Sequence, residues 1–168
     1  MPPLLISMIL VIVPLNWFWI ATQVPRIHDI TTDIENPPLF VAILPLREEA
    51  PNPALYGGNP IAEQQKRGYP DLKPERVPLD PDQTFQKALQ TAEKMGWKIV
   101  EANRSERRIE ATDTTWWFGF KDDIVIRILP VMGASRLDIR SLSRVGLSDV
   151  GTNAKRIRKF LKLFRESQ

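Results

Sequence analysis

The single histidine, His28, stands beside Asp29 and shortly before Asp33 in the stretch IHDITTD. One imidazole next to two carboxylates is a minimal set that could orient a general base or share a cation. No nucleophile motif accompanies it, so a hydrogen-bonded structural histidine is the simpler reading. Cysteine is absent, which removes disulfides, thiolate catalysis and cysteine metal sites, and one histidine is too few for a histidine-rich metal centre. The sequence calls for no metal and no cofactor.

Anion chemistry has a better-formed candidate. Arg144 precedes Val145-Gly146-Leu147-Ser148-Asp149, then Gly151 and Asn153, and a helical pattern follows. A helix start presents unpaired N–H groups, and a nearby arginine could complete an anion pocket. The competing reading is that Ser148 and Asp149, both good capping residues, occupy those donors themselves. Arg127, Asp138, Arg140 and Glu110 fall on one face of the expected strands, either as an anion-binding surface or as a solvated charge ladder. Trp116, Trp117, Phe118 and Phe120 share a loop with Gly119, and either form a platform for a ligand or partner or plug a core. The candidate binding residues are therefore Trp116, Trp117, Arg140, Arg144, Ser148, Asp149 and Asn153.

The elements that must position these residues are legible from periodicity. Ile124, Ile126 and Ile128 alternate with Val125, Arg127 and Leu129, and Leu137 and Ile139 alternate with Arg136, Asp138 and Arg140, the period of half-buried strands. Facing apolar residues pair Ile128 with Leu137, Ile126 with Ile139, and Arg127 with Asp138, which demands an even-length turn, met by Met132-Gly133. Two further strands are expected at Trp97 to Glu101 and Arg108 to Thr112. Asp80-Pro81 opens a helix closed by Gly96, with Phe85, Ala88, Leu89, Ala92 and Met95 as its apolar stripe. A last helix starts near Ser148 or Asp149, with Ala154, Ile157, Phe160, Leu161 and Phe164 opposite Lys155, Arg156, Arg158, Lys159, Lys162 and Arg165. The expected fold class is α+β: a two-layer domain over residues 81–168, with an antiparallel four-stranded sheet and two helices on one face.

Ahead of this domain come two other kinds of chain. Leu4 to Val24 is free of charge and, at roughly 1.5 Å per residue as a helix, matches a hydrocarbon core of about 30 Å. No basic residue precedes it, as a signal peptide would require, and Trp17, Phe18 and Trp19 resemble an interfacial aromatic belt. Residues 1–24 are thus expected to be a retained transmembrane helix, kinked at Pro14. Between Arg26 and Glu49 acidic residues outnumber basic ones, which places the domain on the extracytoplasmic, periplasmic side. Residues 25–80 are a proline-rich arm, holding ten of the fifteen prolines. Asn36-Pro37-Pro38, Pro51-Asn52-Pro53 and Asn59-Pro60 favour extended or turn backbone, and Glu63 to Gly68 permits a short helix. Leu39, Phe40, Val41, Ile43 and Leu44 are too apolar for a free linker and are expected to dock on the domain or a partner.

Several blocks carry a resemblance: IEATD at 109–113, WFGFKDD at 117–123, LDIRSLSRVGLSD at 137–149 and GTNAKRIRKFL at 151–161, with IHDITTD at 27–33, ENPP at 35–38 and YPDL at 69–72. Together they resemble the bacterial and plastid family called domain of unknown function 1499. The resemblance implies an α+β domain, often tied to a membrane, and implies no reaction. The modest charge of +3 does not by itself suggest nucleic acid, and basic residues are not interleaved with stacking aromatics on a recognisable motif. The expected function is a membrane-anchored, non-enzymatic accessory domain that docks on a membrane protein or complex. A carrier of a small apolar or anionic ligand, or an enzyme, are the alternatives.

Overall fold

The computed structural model describes residues 24–115 and 118–167, together with Trp19 and Thr22. Most of the expected span Leu4 to Val24, and both Trp116 and Trp117, lie outside the described residues. Among the described residues no helix is long and apolar enough to cross a membrane.

The central hairpin forms as its alternation requires. Strand β5 (Lys121–Val131) pairs antiparallel with β6 (Ala134–Ser143), aligning Ile126 with Ile139, Arg127 with Asp138 and Ile128 with Leu137 around Met132 and Gly133. Gly133 takes φ 64°, a left-handed backbone that glycine adopts without Cβ strain. On the other edge of β5 come β4 (Arg108–Thr114) and then β3 (Lys98–Asn103).

Among the described residues the sheet has six strands rather than the four expected. Two short strands from the proline-rich arm, β1 (Asp29–Thr31) and β2 (Glu75–Val77), pair with the free edge of β6. Three residues are too few to show a period, and Pro74 and Pro78 bracket β2, so neither strand stands out in the sequence. Among the described residues three α-helices accompany the sheet: α1 (Asn59–Gly68), α2 (Pro81–Lys94) and α3 (Thr152–Glu166). Pro60 sits in the first turn of α1, where its missing N–H costs no hydrogen bond, so Asn59-Pro60 opens a helix instead of an extended segment. At α2, Asp80 caps the start by accepting from the Asp82 and Gln83 amides at 2.9 Å.

The main core lies between one sheet face and helices α2 and α3. Ile109, Ala111, Ile124, Ile126, Ile128, Leu137 and Ile139 meet Phe85, Ala88, Ala92, Ile157, Phe160 and Phe164, and Trp97 stacks on Phe160 at 5.4 Å. Burial of each large aliphatic side chain contributes about 1.5–3 kcal/mol. Arg156 departs from the basic face expected of α3: it is buried, binding Asp113, Asp122, Ser141 Oγ and Asn153 Oδ1. It can do so because the helix face of the sheet turns polar at this end, where Asp113, Asp122 and Ser141 replace the isoleucines.

Candidate functional site

The second face of the sheet is charged, and the arm covers it. Glu110 points into this layer fully buried, and three consecutive amides of the arm converge on its carboxylate: Val41 and Ala42 on Oε1 at 2.9 and 3.1 Å, and Ile43 on Oε2 at 2.9 Å. Arg108 Nε lies 2.7 Å from the same carboxylate. A buried carboxylate ringed by fixed N–H dipoles is satisfied without any ligand.

Arg140 anchors the middle of the layer. It is fully buried, forms a two-pronged pair with Asp29 at 2.9 and 2.7 Å, and donates to the Pro38 and Ala54 carbonyls. Its guanidinium carbon lies 5.0 Å from the Phe40 ring centre and 5.5 Å from that of Tyr56. Burial, with Asp29 nearby, pushes the Tyr56 hydroxyl up to about 12. Phe40 and Ile43 complete a small apolar cluster with Val125 and Leu142.

At the end of the sheet where β4 leaves and β5 begins, Asp123 is the common acceptor. Arg47 of the arm, Arg144 and the Thr112 hydroxyl all donate to it. Arg144 also donates to the Leu46 carbonyl, and Asn52 donates to the carbonyls of Ser143 and Gly146. Burial lowers the Arg47 pKa, and its contact with Asp123 opposes that shift. At the opposite end Arg127 and Arg136 both pair with Asp33 and Asp138.

These contacts decide where each candidate residue sits. The face carrying Glu110, Arg127, Asp138 and Arg140 is not a solvated ladder, because the arm lies over it and supplies partners for its charges. Arg144 does not meet the start of α3; it turns to Asp123 on the arm side of the sheet, whereas α3 lies on the other side. Asp149 accepts from the Gly151 and Asn153 amides at 2.8 and 2.6 Å, and Ser148 Oγ accepts from the Val150 amide. Burial raises the Asp149 pKa, and those amide bonds oppose the rise. Asn153 is buried and bridges Ser141, Ser143 and the His28 carbonyl. His28 is half-buried and, among the described residues, has no partner at Nδ1, while Asp29 and Asp33 are engaged with arginines, so the trio does not assemble. Among the described residues no group of three histidine, cysteine or acidic side chains is placed to hold a metal ion.

Of the expected docking residues, Phe40 and Ile43 face inward, whereas Leu39, Val41 and Leu44 are exposed. Sequence reasoning missed Arg47, Asn52, Glu110 and Asp123 as the joints between arm and sheet. The one signal was a surplus of charge on strands that are otherwise apolar. A cleft of about 490 Å³ lies between the segment that follows β1 and the end of α1, lined by Asp33, Gln65, Lys66, Tyr69 and Arg136 among others.

The geometry defines an α+β domain whose antiparallel sheet is sandwiched between two helices and an ion-paired arm. The chain belongs to the family described as "Protein of unknown function (DUF1499)", whose model matches residues 29–164. No curated protein matches it. Among solved structures, the one described as "Crystal structure of Ara h 8.0201" is similar at 12% identity and a TM-score of 0.40, covering 56% of this chain and 93% of that one. At that level the likeness carries no argument.

Proposed function

We propose that the protein is a non-enzymatic accessory domain, held at the membrane by residues 4–24 on its extracytoplasmic side, that docks on another membrane protein or complex through its arm. The observation that carries the reading is the two-sidedness of the arm. Phe40, Ile43, Arg47 and Asn52 lock it to the sheet, which leaves Leu39, Val41 and Leu55 pointing outward, the first and last 66% and 79% exposed. A pre-ordered apolar strip loses little conformational entropy when a partner covers it, and patches of this kind mark interaction sites. The buried charges of the arm layer are paired with one another, which supports a scaffold rather than a catalytic centre.

Deleting the arm would be a poor test, since Glu110 would lose three donors and the sheet its cover. The informative variant combines Leu39→Ser and Leu55→Ser in the full chain. The expected result is a stoichiometric protein partner that is retained in mild detergent and lost in this variant, with the thermal melt unchanged. A monomer carrying a bound lipid, or robust turnover of a small substrate, would overturn the reading.

A further inference from the structure

One end of the sheet gathers exposed apolar side chains from three separate segments. Leu44 and Leu46 come from the 3₁₀ turn of the arm, Phe118 and Phe120 from the β4–β5 loop, and Val145 and Leu147 from the loop before α3. Phe118 is 70% exposed and Leu147 75%. The segments are laced together by hydrogen bonds: the Arg144 amide to the Lys121 carbonyl, Arg144 Nη1 to the Leu46 carbonyl, and Asn52 Nδ2 to the Gly146 carbonyl. Their tips are therefore held together at one end. The hairpin tip at the opposite end offers only Val131 and Met132 as exposed large apolar residues.

The chain enters the domain at this same end. The Asp149 amide donates to the Ile27 carbonyl at 3.2 Å, and Val24 Cγ1 would lie 3.5 Å from a Cβ placed on Gly151. Val24 is the last residue of the expected span Leu4 to Val24, so no linker separates that span from the three loops. We infer that this end is a bilayer-contacting rim, in which Leu46, Phe118, Phe120, Val145 and Leu147 enter the interfacial layer of the membrane. The inference rests on the membrane attachment proposed above.

The chemistry fits a lipid surface better than a protein groove. The apolar residues sit singly or in pairs on projecting loops, with the stacked rings of Phe118 and Phe120 at 5.5 Å, and phenylalanine and leucine side chains gain by burial at the headgroup–acyl boundary. Exposed Arg26 and Lys121 at this end are countered by exposed Glu48 and Glu49, so insertion of apolar tips, rather than attraction to anionic lipid, is the driving term.

The test uses the absence of cysteine. Phe118→Cys, Leu147→Cys and, as the control end, Met132→Cys each give a unique nitroxide site in the full chain, reconstituted into neutral phosphatidylcholine vesicles. Collision rates with oxygen and with a water-soluble nickel chelate then report depth. The expected result is a several-fold excess of oxygen over nickel collisions at residues 118 and 147, reversed at 132 and insensitive to salt. Protein that resists carbonate extraction but reports water at both ends would overturn the rim while leaving the attachment intact. Protein that washes off the vesicles would overturn both. Labels at 118 and 147 that are shielded from both collision partners would reveal a protein contact and also overturn the lipid assignment.

Discussion

The two faces of this sheet are built on opposite principles. Toward α2 and α3 the strands present isoleucines, leucines and alanines, and the partners are helix stripes of the same character. Toward the arm the same strands present Glu110, Asp123, Arg127, Asp138 and Arg140, and the partner is a segment rich in proline whose backbone N–H and C=O groups remain free to bond. Between β1 and α1 the proline-rich chain forms no strand or α-helix and so leaves its amides and carbonyls for side chains of the sheet. An apolar face can be covered by any complementary apolar stripe, but a charged face must be covered by a layer that satisfies every group individually. The arm-covered face is thus the more specific of the two, and the more easily damaged.

The largest expected effect tests that asymmetry. Arg140→Ala leaves Asp29 buried without its cation and should cost about 3–5 kcal/mol in urea melts of the full chain in mild detergent, whereas replacing both partners by Arg140→Met and Asp29→Leu should recover most of the loss. A single variant that melts like the wild type would show that the charged layer is dispensable. On the helix-covered face Ile126→Ala should cost roughly 2–5 kcal/mol through the cavity it leaves. Arg136→Ala should cost far less in the same melts, because Arg127 still pairs with both Asp33 and Asp138. Equal small losses for these two variants would refute the assignment of faces.

The smallest effect lies outside both layers. Arg158 hydrogen-bonds Asp71 at the surface and holds its carboxyl below the usual aspartate range. Because the folded-state pKa is depressed, the stabilisation is present above the unfolded value and is lost as pH falls through the folded one. Arg158→Ala should therefore cost less than about 1 kcal/mol at neutral pH, as exposed pairs do. The gap between the two melting curves should close in acid; a gap that persists there would assign the loss to packing instead.

How far these features could be read in advance follows their range along the chain. The β5–β6 register was legible because alternation and a two-residue turn leave one alignment that places all apolar residues together. The start of α2 was legible because Asp80 caps amides two and three residues away and Pro81 suits the first helical position. Arg156 was misplaced because helical spacing gives a face but not what the face meets, and here the sheet offers Asp113 and Asp122. Phe40 and Ile43 could be recognised as docking residues, yet their partners Val125 and Leu142 could not be named.

Local order in this protein was determined by the sequence: strand alternation, turn parity, the cap at Asp80 and the apolar stripes of α2 and α3 all depend on neighbours within a few residues. The tertiary structure alone decided which charges are buried and with whom. Arg140 meets Asp29 across 111 positions of chain, and Arg47 meets Asp123 across 76. Such pairs leave no periodic trace, because an ion pair depends on distance in space and not on spacing along the backbone. Alternation could therefore identify a polar face, but only the folded arm determined that this face is interior.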